Sequence, residues 1–384
     1  MAPNYTANVS SAALNAEAHL AVFPDGVAVT TPLSVWFLNF SDLVSAELDG
    51  RAVTITTSSD RFHFAGLGSL AAPFHAELTE AFNRRVRTAL LLRGEPVLSA
   101  DGEFRYIETG TAARGRARVE VYRDCVAVLP VSDRARRVPF TFMSGLTPGR
   151  FELTLSVDGG DWYSLGRLGG TTDLFESKVR AGLEAYRHDA VAAIRSIDAR
   201  LNQAQLIALA TRMPPGVAAP MGELRSIAPS YAAALESRIA AGPAHESYSL
   251  FTQMCHPDTI SVGIKTHLAA DRADDVLWMI APSAVRPLAA VEFVVGNELP
   301  GATFIYKMTG DRVSLARTLN RAMEAAGFRR EIMTCPADEL GDHPDYAMLI
   351  KRTAALRVIR QSFATQIPHS SPDRWTAEVR RYLG

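Results

Sequence analysis

The segment Phe62–Gly68, FHFAGLG, decides the fold, because a similar segment returns 101 residues later as Tyr163–Gly169, YSLGRLG. Each copy reads as a short strand that ends in a glycine turn, and each is followed by a helical pattern. The apolar positions of the two helices share the spacing i, i+4, i+8, which defines one helix face: Phe74, Leu78 and Phe82; Phe175, Val179 and Leu183. The chain therefore carries two diverged copies of one strand-then-helix module.

The match extends upstream of these segments. Val22–Val29 corresponds to Val121–Val128, and Asp25-Gly26 between two apolar runs predicts a β-hairpin. In the second copy Asp124-Cys125 takes its place, which is a weaker hairpin signal. The residues before Val22 show no strand pattern, so the first copy is expected to lack part of the full strand set.

Between the hairpin and the closing helix, each copy has a further apolar match and an alternating strand. We align Phe37 and Phe40 with Phe140 and Met143. The strands are Val53–Thr56 in one copy and Phe151–Leu155 in the other, where apolar and polar residues alternate. Each module is thus expected to consist of several short antiparallel strands and one C-terminal helix.

This element order resembles the pleckstrin-homology-like (PH-like) superfold, a small bent antiparallel sheet closed by one C-terminal helix. The resemblance covers residues 1–92 and 103–188, and it rests on element order and the internal repeat. It implies tandem modules of the kind found in scaffolds, lipid-binding proteins and some histone-binding factors. Because such domains are seldom catalytic, the resemblance favours a non-enzymatic role, although a fold alone does not give a function.

The remainder of the chain is predicted to be a helical linker, 189–245, and an α+β C-terminal domain, 246–384. Helices are expected over 189–212, 222–240, 346–365 and 372–383. Strands are expected at Ser261–Leu268, Val276–Ile280, Ala290–Val295 and Thr303–Met308. The last strand and its following helix echo the repeat 241 residues after the first copy. A third diverged copy and an unrelated strand-turn-helix are equally good interpretations of that echo.

Composition limits the classes of function. The chain has 384 residues and a net charge of -1, so no overall field directs it to nucleic acid or to an anionic membrane. Three distant cysteines without a CxxC motif argue against a disulfide framework or a zinc site. No signal peptide or apolar run of membrane-spanning length is found. We expect a cytoplasmic protein with no cofactor. The arginine and alanine bias indicates a GC-rich, bacterial genome.

The strongest local charge is a run of eight arginines against three acidic residues between positions 114 and 150. Arg116-x-Arg118 opens a predicted strand and resembles the phosphoinositide-binding signature of PH domains, in which guanidinium groups bind phosphate. The candidate ligand-binding residues are Arg114, Arg116, Arg118, Arg136 and Arg137. The structural alternative is an ordinary solvated strand face.

Other possible sites have simpler structural explanations. Cys255 and His256 are sequence neighbours whose side chains point apart in extended backbone, so they do not form a catalytic pair. His256, Asp258 and His267 lack a metal-site spacing. The glycines at 66, 68, 166, 169 and 170 lie before a helix, where phosphates bind, yet their repetition favours turns with positive φ.

The sequence therefore predicts a protein that docks in a larger assembly through tandem PH-like modules. One alternative is the recognition of an anionic ligand or a phospholipid headgroup by the second module. The other is an enzyme with an unrecognised site in the C-terminal domain.

Overall fold

The computed structural model describes residues 5–265, 275–296, 298 and 301–384. Met1–Gly182 and Cys335–Ala354 form one compact unit, and Leu183–Thr334 with Ala355–Gly384 form a second. The fold is α+β, built on antiparallel sheets. The expected strand Ser261–Leu268 is described only as far as Lys265, and the rest of it, with His267, lies outside the described residues.

The first module is a seven-stranded antiparallel sheet with the strand order β4-β3-β2-β1-β7-β6-β5. Inward-facing residues alternate with exposed ones along its strands, and the helix covers the inner face with Phe74, Leu78 and Phe82, all fully buried. Its elements are β1 (Tyr5–Ser10), β2 (Asn15–Phe23), β3 (Gly26–Thr30), β4 (Val35–Asn39), β5 (Leu43–Asp49), β6 (Ala52–Thr57), β7 (Arg61–Ala65) and α1 (Ala71–Ala89).

The expectation of an incomplete first copy was wrong. Tyr5–Ser10 pairs along its full length with β2, and its alternation of buried and exposed residues is regular. The inward residues of β1 are Tyr5, Ala7 and Val9, and those of β2 include Ala16 and Ala18, which give a weak apolar signal. The alternation of β1 spans only six residues, and alanines on the inner face of β2 weaken the apolar pattern of that strand.

The second module repeats the same order, β11-β10-β9-β8-β14-β13-β12, so the internal repeat is confirmed strand by strand. Its elements are β8 (Leu98–Glu108), β9 (Thr111–Val121), β10 (Cys125–Leu129), β11 (Arg136–Pro139), β12 (Met143–Pro148), β13 (Glu152–Val157), β14 (Asp161–Gly166) and α2 (Thr172–Ile197). The Asp124-Cys125 hairpin also forms, since Tyr122 N donates to Cys125 O at 2.8 Å.

One predicted alignment between the copies needs a correction. Phe40 N donates to Asp25 O at 2.8 Å, and Phe140 N donates to Asp124 O at 2.9 Å. Phe140 is therefore the counterpart of Phe40, not of Phe37. Counting back three residues, the counterpart of Phe37 is Arg137.

Three of the five glycines predicted to have a left-handed backbone before the closing helices have it, and Gly166 and Gly170 do not. Gly66, Gly68 and Gly169 have φ values of 80°, 59° and 64°. The counterpart of Gly66 in the second copy is Arg167, which keeps a φ of 54° although it carries a side chain. This conformation costs an L-residue about 1 kcal/mol, so the turn geometry is retained at a small energetic cost.

The second compact unit is built on a six-stranded antiparallel sheet with the order β15-β16-β17-β18-β19-β20. The strands are β15 (Ala219–Pro220), β16 (Ser261–Lys265), β17 (Val276–Pro282), β18 (Leu288–Val295), β19 (Ala302–Lys307) and β20 (Phe363–Pro368). This sequential order differs from that of the repeated modules, so the sheet is not a third copy. The echo reflects a strand, β19, that precedes an amphipathic helix.

The remaining helices are α3 (Gln203–Arg212), α4 (Met221–Ile227), α5 (Pro229–Ala240), α6 (His245–Met254), α7 (Arg312–Ala325), α8 (Glu331–Thr334), α9 (Pro344–Arg352), α10 (Ala354–Ser362) and α11 (Pro372–Leu383). The helices expected as a linker, α3 to α5, share a buried core with the six-stranded sheet, in which Leu209 and Leu235 lie with Val262. The predicted helix 346–365 was wrong: it breaks at Thr353, and Phe363–Pro368 is the edge strand β20.

Candidate functional site

Three of the five candidate arginines lie together on β9. Arg114, Arg116 and Arg118 are exposed on one strand face, while Ala113, Ala117 and Val119 point inward. On the neighbouring strand, Glu103 stands opposite Arg116, and Asp101 opposite Arg118. The sheet thus places a carboxylate across from two of the three arginines, which reduces the local positive charge.

The other two candidate arginines are engaged within the second module. Arg136 is buried, its Nε donates to Glu108 Oε2 at 2.7 Å, and its guanidinium lies 5.0 Å from the Tyr106 ring centroid. Arg137 Nη2 donates to Asp124 Oδ2 at 2.7 Å. Both lie on β11, which β10 separates from β9. The structure therefore does not bring them together with the β9 arginines.

A cleft of about 590 Å³ lies between α1 of the first module and the outer face of the second. Arg116 and Arg118 line it together with Arg167, which forms a 2.8 Å ion pair with Glu103. From α1 come Thr79, Asn83 and His75, a half-buried imidazole whose pKa is lowered by desolvation. Asp101, Glu103 and Glu80 also line the cleft, so its cations and anions are equal in number.

A smaller pocket of about 240 Å³ lies at the glycine turn before α2. Glu152, Asp173 and Glu176 line it, opposed only by Arg150. Three carboxylates at this helix start repel a phosphate, so the predicted preference for a structural turn over a phosphate loop agrees with the charge of the pocket.

An exposed apolar area that sequence reasoning missed lies on the first module. Leu33 is 97% exposed, Val35 71%, Phe23 47% and Phe37 44%. We call these four residues the apolar hairpin surface, because they lie on β2, on β4 and in the turn between β3 and β4. Phe23 and Phe37 contact each other, with ring centroids 6.1 Å apart. The signal in the sequence was the uncharged run PLSVWFL, positions 32–38.

Glycine at position 26 is required by the packing of this surface. A Cβ there would lie 2.7 Å from the Phe37 ring and 2.4 Å from Leu38 O. The Phe37 ring therefore lies directly on the backbone of the hairpin, held on the outer side of the sheet. Its counterpart Arg137 is instead ion-paired, so the two modules present different chemistry at the same position.

In the second unit, Glu292 on β18 is a fully buried carboxylate. Its Oε2 accepts from Thr303 Oγ1 at 2.6 Å, lies 3.1 Å from His369 Nε2 and is 3.3 Å from Ser247 Oγ. Trp375 Nε1 donates to Thr303 Oγ1 at 2.8 Å. This network joins β18 and β19 to α6 and to the start of α11. A glutamate inside the apolar strand AAVEFVV was its signal in the sequence.

Cys255 is buried, and burial raises the pKa of its thiol to about 11. A thiol at that pKa is almost entirely protonated at neutral pH, and the thiolate is the reactive form. The Cys255-His256 pair therefore has no activated nucleophile.

Among the residues that the structure describes, no group of three or more His, Cys, Asp and Glu side chains is arranged to hold a metal ion. Within the same residues, no helix is both long and apolar enough to cross a membrane. Comparison with protein-family models and with curated proteins matched none of them to this chain.

Proposed function

We propose that the two repeated units are PH-like modules and that the chain is a non-enzymatic interaction protein, which docks onto a protein partner through the apolar hairpin surface. The shared strand order and the closing helices support the PH-like assignment. The observation that carries the docking role is the clustering of four exposed apolar residues at one edge of the first module. Contiguous exposed apolar area on a folded protein is typical of protein-binding surfaces.

Pull-down of the tagged chain from an extract of its source cells, washed at low and at high salt, tests this proposal. Apolar docking is insensitive to salt screening, so we expect a stoichiometric partner that survives the high-salt wash. The double variant Leu33→Asp/Phe37→Asp should lose it, and Phe151→Asp, which alters an apolar residue of the second module that is 70% exposed, should retain it. Equal recovery with both variants would refute docking at this surface.

A second candidate function is the binding of an anionic group in the cleft between the modules. The observation that favours it is that Arg116 and Arg118 both line this cleft from one strand. Their guanidinium groups are suited to a phosphate or a carboxylate, although the cleft's own acidic residues compete for them.

Anionic liposomes and inorganic phosphate, offered separately, distinguish a lipid headgroup from a free anion. Binding should fall steeply with salt and be lost in Arg116→Glu/Arg118→Glu. Arg150→Glu, outside the cleft, is the matched control. If the double variant binds both probes as the wild type does, anion recognition by the second module is excluded.

A further inference from the structure

The outer edge of β4 has backbone groups that are unpaired in the described part of the chain. β4 is the last strand of its sheet, and within the described residues no strand pairs with that edge. Two bonds fix the hairpin register: Thr31 N donates to Ser34 O and Phe40 N to Asp25 O, both at 2.8 Å. Since bonded and non-bonded pairs alternate in an antiparallel ladder, the N–H and C=O groups of Val35 and Phe37 point away from β3. They are available to another strand.

The same edge in the second module is protected against such pairing. Its strand, β11, carries Arg136 and Arg137 and ends in Pro139, which has no N–H to donate. Charged residues and prolines at sheet edges are common means of preventing strand addition. The edge strand of the first module, VWFLN, has neither. The edge of the first module is therefore open to strand addition, and the equivalent edge of the second module is not.

We propose that β4 pairs with β4 of a second copy of this chain, antiparallel and centred on Phe37, so that the two first-module sheets become continuous across a twofold axis. This inference rests on the proposed docking function and names its partner.

The strand is self-complementary in this register. It contains no charge that pairing would bury or bring against its equal. Phe37 of one copy faces Phe37 of the other, and each Val35 faces Asn39. The carbonyl of Asn39 already accepts from Asp42 N at 3.1 Å, so the pairing is strongest at its centre. The two Phe23–Phe37 contacts then form one apolar strip across the junction.

Cysteine cross-linking tests the register. A bonded antiparallel pair has its Cα atoms about 5.5 Å apart, and disulfides form at Cα separations of about 5.5–6 Å. In a Cys335→Ser background, Phe37→Cys should therefore give a covalent dimer on mild oxidation. Val35→Cys alone should not, because its two copies are four residues out of register, about 13 Å apart. Val35→Cys with Asn39→Cys should cross-link again. Equal cross-linking by Phe37→Cys and Val35→Cys would overturn the register.

The mass in solution tests the association itself. Light scattering of the full chain over a concentration series should give a mass that approaches twice that of one chain. Phe37→Arg, which installs the second module's residue, should reduce the mass to that of one chain, with unchanged circular dichroism. Phe151→Arg should leave the dimer intact.

A wild type that stays a single chain at every concentration, or a dimer insensitive to Phe37→Arg, overturns the inference. The proposed function can be tested apart from it. Suppose that the wild type is a single chain but binds a salt-resistant partner, and that the variant Leu33→Asp/Phe37→Asp does not bind it. Docking at this surface is then supported, and self-pairing is excluded. If neither a dimer nor a salt-resistant partner is found, both fail.

Discussion

Glu120 is a buried carboxylate at the contact between the two modules. It accepts from Arg87 of α1 through Nε at 3.1 Å and Nη2 at 2.7 Å, and from the Tyr122 hydroxyl at 2.7 Å. Burial by itself raises the pKa of a carboxyl group, but these donors outweigh it and hold the pKa of Glu120 below its ordinary value of 4.5. Its charge is therefore part of what holds the modules together.

We expect Glu120→Gln to lower the free energy of unfolding by about 2 kcal/mol, because it removes the buried charge that Arg87 donates to and leaves Arg87, among the described residues, with only the partly exposed Glu80, at 3.5 Å. A carboxyl group whose pKa is lower in the folded state stabilises fully above its unfolded pKa and loses this effect as pH falls through the folded value. The variant should therefore lose less stability than the wild type between neutral and acidic pH. Denaturant unfolding at several pH values measures this, with the exposed Glu17→Gln as control. Parallel pH curves would contradict it.

Arg352 is buried without an ion pair among the described residues. It donates to Met348 O at 3.1 Å and Ser132 O at 3.3 Å, and lies 5.5 Å from the Phe82 ring centroid. Burial lowers the pKa of Arg352 to about 10. Its charge is thus desolvated with little compensation.

We expect Arg352→Met to be neutral or to stabilise the protein, since an apolar residue of similar volume removes the desolvation penalty. Arg352→Ala should instead cost about 2 kcal/mol, because it leaves a cavity beside Phe82. Thermal and denaturant unfolding of the two variants separate charge from volume. Equal destabilisation by both would mean that the guanidinium itself is required.

At the scale of elements, β18 shows how one polar residue joins several parts of a domain. Replacing Glu292 with Leu removes the acceptor of Thr303 Oγ1 and the carboxylate beside His369 and Ser247, and Thr303 and Ser247 are both buried. We expect a loss of about 3 kcal/mol in the second compact unit, because buried donors are left unpaired. Glu292→Gln should cost less, since its amide oxygen still accepts from Thr303. Denaturant unfolding followed by tryptophan fluorescence measures these losses, with the exposed Glu246→Gln as control. Equal losses of stability in Glu292→Leu and Glu292→Gln would mean that the hydrogen-bond network is unimportant.

Elements with a strong apolar period were predictable, and those with a weak period were not. The closing helices, the strands from β16 to β19 and α11 follow their patterns, because burial of one face dictates their sequences. Tyr5–Ser10 was missed although Tyr5, Ala7 and Val9 alternate with polar residues, because the alternation spans only six residues. β20 was read as helix because FATQIP continues the apolar spacing of α10 for a few residues. Only pairing with β19 makes it a strand.

The candidate site was predicted only in part for a similar reason. Alternation placed Arg116 and Arg118 on one exposed face, as expected. It gave no warning that Asp101 and Glu103 would stand opposite them, because cross-strand partners depend on register. Arg136 and Arg137 look identical to the other arginines in sequence, and only the fold shows their partners, Glu108 and Asp124.

At the scale of the whole molecule, the two modules meet through backbone as well as side chains. Ala46 N donates to Val131 O and Asp133 N to Val44 O, both at 3.0 Å, so β5 of one module pairs briefly with the segment after β10 of the other. Both modules lie in one compact unit. We therefore expect the two repeated modules to unfold together as one body.

Hydrogen exchange read by mass spectrometry tests this. If the modules open together, amides of β2–β3 and of β9–β10 exchange through one common opening and report the same free energy. Glu120→Gln weakens the contact between them, together with the Tyr122 bond within the second module. It should then lower protection in both modules by the same amount, and Glu17→Gln should change neither. Were the modules independent, Glu120→Gln would leave β2–β3 protected, because that hairpin makes none of the Glu120 contacts. Loss of protection in the distant hairpin is therefore the result that separates one cooperative body from two adjacent domains.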